Sequence, residues 1–486
     1  MTSLNCGYNS ITSLDLSHNP KITELFCNAD RRYSETFTDR IRVLNLKGCT
    51  KLRNLSCYYQ LLASLNLSDC VSLTELDLSN NVLLGLDLSR NIKLSKLDCR
   101  YNKIPSLNLS HNISLTTCEI SYNPLNTINV GGVLSSLEFN TEGGTYKEST
   151  TLDIIATKLE SVSISSSQLT RINFSNSTTL KSVSLVGSSL SELDLSPLPN
   201  LRSVYIVDGK LQTLDLRNNR QLNSLSCLRV QLSEVNLPNS ESLTTASFNS
   251  CNQIPSIDFA VTPNLQELTI SYCYAWKTLD LSNNLSLKSF YLGGASTSSS
   301  LNYIDFGTNP YLKELKLSGL YSTCEIRGTR VEKLVIDNRS SNTITDLNIT
   351  NLNIKDLPSL TSLSSNSCNM KTLDLSGSPH LKDLTLSGTI ETLDLTNNPE
   401  LESITCKFLD LKSINVTKCP LLKTMNCSNN FLETLDISGN PLLTTLNCSK
   451  MSTLKTLYLD KSQRIRYITY DRSTSYIPEQ TVLEYK

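Results

Sequence analysis

Glycine and proline are both scarce, 17 and 15 among 486 residues, which excludes collagen-like and low-complexity chains. Charge is scarce too: 18% of residues are charged, and 44 basic against 45 acidic side chains leave a net charge of -1. With no basic excess, a polyanion partner such as nucleic acid is not expected. No apolar run approaches the roughly 18 residues of a membrane-spanning helix. Histidine (3) and tryptophan (1) are a thin kit for chemistry. The sequence holds no CxxC pair, P-loop, HExxH or Ser/His/Asp set, so zinc, redox and common hydrolytic sites lack their signatures. What is plentiful is neutral and polar, namely Ser, Thr and Asn, together with 16 cysteines.

One short phrase recurs from end to end: apolar, polar, apolar, two small polar residues, then Asn. It reads SLDLSHN at Ser13–Asn19, ELDLSNN at Glu75–Asn81, KLDCRYN at Lys96–Asn102, TLDLTNN at Thr392–Asn398 and TLDISGN at Thr434–Asn440. Its first apolar position falls at Leu44, Leu55, Leu65, Leu76, Leu86, Leu97 and Leu107, in alternating steps of 11 and 10 residues. The repeat is therefore about 21 residues in two similar halves. Apolar-polar-apolar alternation is strand periodicity, with the middle residue facing outward. Each half has room for one short strand and a turn but none for a helix. The expected fold is an all-β-rich solenoid of about 21 flattened coils. Two short parallel strands per coil would form two facing parallel sheets with little or no helix, on the order of 100 Å long at ~4.8 Å per coil.

The phrase LxxLxLxxN resembles the leucine-rich repeat. In its doubled form the chain is similar to the nested 21-residue class found in surface and secreted proteins of anaerobic gut bacteria. The resemblance spans nearly the whole sequence and implies binding, adhesion or display at a cell surface or outside the cell, without naming a ligand.

The expected organisation is one continuous solenoid over residues 1–463 and a C-terminal cap at 464–486, where the beat dissolves among Tyr467, Tyr470, Tyr476, Pro478 and Tyr485. Loop insertions are expected near 28–42, 139–150, 293–302, 337–345 and 351–361. Because Ser3-Leu4-Asn5-Cys6 already reads as a strand, a signal sequence and linker are expected upstream of Met1.

All 16 cysteines fit repeat positions. Cys6, Cys27, Cys57, Cys99, Cys227, Cys406, Cys427 and Cys448 take the second inward position of a strand, and Cys118 and Cys324 the first. Cys49, Cys70, Cys251, Cys273, Cys368 and Cys419 replace the turn Asn. Buried free thiols are the expectation. The three histidines, His18, His111 and His380, sit at turns.

Outward residues of the first sheet are almost all Asp or Asn, from Asp15 and Asn45 to Asn415 and Asp436. Stacked carboxylates ~4.8 Å apart repel by about 1 kcal/mol per pair even in water, and the interspersed Asn residues relieve it. A structural side-chain ladder is the simplest reading. The sharper one is a hard-cation site, such as Ca²⁺, on Asp258, Asp280, Asp305 and Glu325. No cofactor is otherwise expected.

The second sheet is varied, with Phe26, Asp77, Tyr205, Tyr291 and Lys316 facing outward, and tyrosine recurs before the turn Asn at Tyr8, Tyr59, Tyr101, Tyr122 and Tyr272. The aromatic-rich stretch from Tyr272 to Tyr321, with the single tryptophan, suggests a ligand patch. The candidates are Tyr272, Tyr274, Trp276, Tyr291 and Tyr303, with Tyr205 and the loop residues Arg31, Arg32 and Tyr33. The functional expectation is a monomeric, non-enzymatic binding module that recognises a protein or a glycan through this sheet and its loop edge. The alternatives are a passive spacer and, less well matched by an Asp/Asn row, an ice-binding face.

Overall fold

The computed structural model describes residues 1–29, 40–131, 134–140, 150–156, 158–166, 169–174, 176–293, 301–318, 322–328, 330–336, 349–368, 372–463, 467–469 and 482–485. The loop residues Arg31, Arg32 and Tyr33 lie outside the described residues. Every regular element among those described is a β-strand, most of three to five residues. Compact packing divides the chain into two units, Met1–Pro238 and Asn239–Lys486.

In the first unit the second-sheet strands Ser3–Asn5, Glu24–Phe26, Asn54–Ser56, Glu75–Asp77, Lys96–Asp98 and Thr117–Glu119 form one parallel ladder. A further ladder joins Ser136–Asn140, Ser161–Ser165, Ser182–Val186, Ser203–Val207 and Ser224–Leu228. Register shows the repeat directly, because Leu55 pairs with Leu76, Leu76 with Leu97 and Leu97 with Cys118, 21 residues at each step. The other sheet is shorter. Its clearest run is Ser106–Leu109, Thr127–Val130, Thr150–Ala156 and Leu169–Asn173.

The second unit repeats the plan. Strands from Thr245–Asn249 to Tyr467–Thr469 stack on one side. On the other, Thr278–Asp280, Tyr303–Asp305, Ser322–Arg327 and Ile349–Asn353 are joined in parallel. Within the segment expected as a cap, Tyr467–Thr469 pairs with Thr445–Asn447 and Val482–Tyr485 pairs with Thr456–Leu459.

Both units are parallel β-solenoids whose core is the inward leucine column of each strand; Leu25, Leu55, Leu76 and Leu97 are all buried. No coil could bury these side chains alone, so each draws its core from its neighbours.

Two expectations change at insertions. Of residues 351–361, the first three belong to the strand Ile349–Asn353, which pairs in parallel with Ser322–Arg327 across a register shift, and Leu352 and Ile354 are buried. Leu352-x-Ile354 fits the apolar-polar-apolar phrase, and Leu352 pairs with Cys324 of the neighbouring coil. Glu325 is the other case. Ile304 pairs with Ile326, which puts Arg327, rather than Glu325, beside Asp305.

Candidate functional site

Each coil has two turns, and they are built differently. At the first turn, after the first sheet, the outward Asp or Asn accepts the backbone N–H two residues on. Asp15 takes Ser17 N at 2.8 Å, Asp258 takes Ala260 N at 2.9 Å, Asp280 takes Ser282 N at 2.9 Å and Asp305 takes Gly307 N at 2.7 Å. Such a turn needs only a side-chain oxygen, so Asp and Asn interchange freely. The Asp/Asn row is thus explained by local turn geometry. Hydrogen bonds to the charged form hold Asp374 at about 2, first from Ser376 and then from Lys355.

The four-residue cation site is not assembled as the sequence suggested. Asp280 and Asp305 are register partners, but Arg327 follows them, and its Nε donates to Glu325 Oε1 at 2.7 Å. Asp305 also accepts Tyr303 Oη at 2.9 Å. Among the described residues no group of three or more His, Cys, Asp or Glu side chains is placed to hold a metal ion.

The first-turn Asn is buried, and its Nδ2 caps two carbonyls of the preceding coil. Asn112 donates to Leu88 O at 3.0 Å and Asn91 O at 2.9 Å; Asn440 donates to Val416 O and Cys419 O, both at 2.8 Å. Oδ1 has no partner at Asn91, Asn112, Asn219, Asn284, Asn398 and Asn440. Asn309 differs, its Oδ1 accepting Tyr311 N at 2.9 Å and Leu312 N at 3.0 Å. At the six others only the donor is used, and on further coils a thiol or hydroxyl replaces it. Cys49 Sγ donates to Leu16 O at 3.5 Å, Cys419 Sγ to Leu395 O at 3.4 Å and Ser378 Oγ to Leu357 O at 3.2 Å.

The second turn reverses the chain through a residue in the left-handed region. Along the first unit the non-glycine residues of this column at positive φ are Tyr8, Tyr59, Asn80, Tyr101, Tyr122, Asp208 and Arg229, with φ between 53° and 61°. In the second unit it includes Ser250, Tyr272, Phe408, Asn429 and Lys450. Each such N–H extends the sheet ladder: Tyr59 N donates to Ser79 O at 3.0 Å, Tyr101 N to Ser121 O at 3.0 Å and Tyr272 N to Gly293 O at 2.9 Å. Left-handed backbone costs an L-residue about 1–2 kcal/mol, and Gly and Asn bear it best. Tyrosine at four of these seven positions is therefore held against a local preference.

These tyrosines also meet one another. Tyr101 and Tyr122 stack at 4.1 Å with planes 7° apart, Tyr58 and Tyr59 meet edge to face at 5.9 Å, and Tyr8 Oη lies 3.3 Å from Tyr58 Oη. Tyr8 and Tyr101 are exposed, at 66% and 47%. Beside them on the sheet, Asp77, Asp98 and Glu119 are register partners on successive strands. Arg100 crosses this row, with Nη2 2.7 Å from Asp98 and Nη1 3.9 Å from Glu119. Burial pushes the Asp77 carboxyl up, against the Ser79 hydrogen bonds that pull it down.

The sequence-derived patch disperses over the second unit. Tyr272 is exposed at its turn, and Tyr291 is exposed on the second sheet between Thr269 and Lys316. Tyr274 is half-buried, and desolvation raises its hydroxyl. Tyr303 stands on the other sheet, on the strand Tyr303–Asp305, with the Arg327 guanidinium 5.7 Å from its ring centre. Tyr205 is an exposed residue of the first unit, set between Ser184 and Ser226.

Trp276 must be removed from the patch. It is 1% exposed, with Phe248 and Phe259 each 6.3 Å from its ring. It stands three residues before the strand leucine Leu279, where Leu211 stands before Leu214 and Leu411 before Ile414. That spacing marks it as core, and the repeat phrase already carried the signal. The first-unit cluster had a signal too, in the recurrence of tyrosine before the turn Asn.

No protein-family model matches the chain, and no relative is found among curated proteins. Solved structures that it resembles include the functional domain of InlJ from Listeria monocytogenes, described as including a cysteine ladder. That match has 17% identity over 87% of this chain and 70% of that one, with a TM-score of 0.30. A leucine-rich repeat protein of Leptospira interrogans matches at 15% identity over 88% and 90%, TM-score 0.31. YopM from Yersinia enterocolitica matches at 16% identity over 97% and 91%, TM-score 0.30.

Proposed function

We propose that the chain is a non-enzymatic binding module that recognises a protein through the second sheet and second turn of its first unit. The observation that carries this reading is the tyrosine column at Tyr8, Tyr59, Tyr101 and Tyr122, held at positive φ where Asn or Gly would relieve the backbone. Strain of this kind persists where a side chain is needed at one place, and exposed aromatic rings next to charge are the usual anchors of an interface. A protein fits better than a glycan because Tyr101 and Tyr122 stack on each other, which covers ring faces a sugar would use. The adjoining Asp77, Asp98, Glu119 and Arg100 add a charged rim. Together with the resemblance to bacterial surface repeats, this makes an exported adhesion or display protein the working context.

The test is a screen of the purified chain against protein and glycan panels, repeated with Tyr59→Ser, Tyr101→Ser and Tyr122→Ser combined. Protein binding that drops at least tenfold in the triple variant supports the proposal. Binding untouched by the triple variant, or confined to glycans, refutes it, and an inert rod in both panels favours the spacer.

A further inference from the structure

Cys27 follows the strand Glu24–Phe26 and Cys57 follows Asn54–Ser56, and these strands pair in register. The ladder continues past both, with Cys27 N donating to Ser56 O at 2.9 Å and Cys57 N to Asp77 O at 2.8 Å. Both side chains are buried, and their sulfurs are in direct contact, Sγ to Sγ 2.8 Å. Neighbouring strands of a sheet lie ~4.8 Å apart, within the Cα separation of roughly 4.4–6.8 Å that a disulfide spans.

This contact sits at an unusual coil. Leu25 pairs with Leu55, 30 residues on, where Leu55 pairs with Leu76 after 21. Gln60 ties the long coil together, its Oε1 accepting Ile41 N at 2.7 Å and its Nε2 donating to Cys27 O at 2.6 Å. In the second unit Cys406, Cys427 and Cys448 occupy the same inward position on coils of ordinary length. Cys427 Sγ reaches Asn447 O at 3.6 Å much as Cys27 Sγ reaches Ser56 O at 3.7 Å, so what sets the Cys27 coil apart is the sulfur–sulfur contact with Cys57.

We propose that Cys27 and Cys57 form a disulfide site that staples the coil carrying the longest insertion. The oxidant is a disulfide, of a small molecule or another protein. One cysteine thiolate attacks it, forming a mixed disulfide and releasing one thiol; the second thiolate then displaces the other half. Two cysteine thiols and one external disulfide become the Cys27–Cys57 bond and two external thiols. The proximity of Cys27 and burial both push the Cys57 thiol up, so exchange belongs to folding, before the coil closes over the sulfurs. A cross-link over a loop of this length stabilises chiefly by restricting the unfolded chain.

The experiment refolds the full chain from denaturant in buffer containing oxidised glutathione, blocks remaining thiols under denaturing conditions and maps peptides by mass spectrometry without reduction. The expected result is a linked peptide pair through Cys27 and Cys57, with Cys406, Cys427 and Cys448 fully alkylated. The oxidised chain should melt on the order of 5 °C above the reduced one, a difference that disappears in Cys27→Ser and in Cys57→Ala. Full alkylation of Cys27 and Cys57, pairing with other cysteines, or melting that ignores the oxidant would overturn the proposal.

Discussion

At the first turn of a coil the chain bonds to itself, and at the second it bonds to its neighbour. Asn91 N donates to Leu88 O, three residues back, at 3.0 Å, whereas Tyr101 N reaches across to Ser121 O at 3.0 Å. The first arrangement uses positive φ at a few coils, at Gly48, Asn176 and Gly307, and accepts proline, as at Pro399 after Asn398. The second asks one residue per coil to adopt positive φ, and that residue is thrust outward. The buried Asn differs as well. Asn112 uses only its donor, while Asn102 donates to Leu78 O at 2.9 Å and Cys99 O at 3.0 Å and accepts Leu83 N at 3.0 Å. At Asn102 both donor and acceptor are thus used, and the residue before it points outward and changes from coil to coil. A surface that varies on a repeated frame is where recognition belongs.

The sharpest way to break this contrast is to exchange the two asparagines. Asn102→Ala strands Leu83 N in the core and removes one donor each from Leu78 O and Cys99 O, which keep Asn81 Nδ2 and Asn123 Nδ2, and should cost about 3 kcal/mol. Asn112→Ala removes one donor each from Leu88 O and Asn91 O, which keep Asn91 N and Leu94 N, and should cost about 2 kcal/mol. Cysteine separates them further. Asn112→Cys should cost under about 1 kcal/mol, as the natural Cys49 and Cys419 imply. Asn102→Cys should cost about 2 kcal/mol because Leu83 N loses its acceptor, even though Cys251 and Cys273 occupy the equivalent position on other coils, where Cys273 Sγ accepts Cys251 N at 3.3 Å. Urea midpoints, with hydrogen exchange at Leu83, would measure both. Equal costs would erase the distinction between the turns.

A smaller effect comes from the strained column itself. Phe408 is 59% exposed at φ 58°, so Phe408→Asn should stabilise by about 0.5–1 kcal/mol. A loss in thermal unfolding would show that the ring braces the turn.

The smallest effects are electrostatic and opposite in sign on the two sheets. The Asp374 carboxyl is lowered to about 2, so its contribution is complete above the unfolded value near 4 and is lost as pH falls toward 2. Asp374→Asn should lower the melting temperature slightly at pH 7 and not at pH 2. The Asp77 carboxyl is raised, so its ionised form opposes folding at pH 7 and the penalty fades on acidification. Asp77→Asn should melt at or above the parent at pH 7, and melting curves from pH 7 to pH 2 test both signs.

Much of the fold was legible because the signal repeats. Strand, turn and buried Asn recur every 21 residues, and the inward positions of Leu55, Leu76 and Leu97 follow from alternation alone. Legibility failed where the period did. Around Glu325 both Cys324 and Ile326 are apolar, so alternation allows two registers, and the strand uses both: Ile326 pairs with Ile304 on one side while Cys324 pairs with Leu352 on the other. The candidate site was harder to see, since composition ranks aromatic residues by number and not by direction. Trp276 and Tyr272 are four residues apart, yet one fills a leucine position and the other rides a left-handed turn. Positive φ at Tyr59, Tyr101 and Tyr122 has no marker in sequence, because glycine or asparagine is the residue expected there.

That column offers the most direct test of the central claim, that the second-turn tyrosines serve recognition and not the scaffold. The measurement is the melting temperature of the chain with Tyr59→Asn, Tyr101→Asn and Tyr122→Asn combined. Asparagine relieves the left-handed backbone while removing the rings and their stacking, worth about 0.5–1.5 kcal/mol per pair. The account predicts a variant that melts at or above the parent temperature. A fall of several degrees would contradict it and make the tyrosines part of the frame.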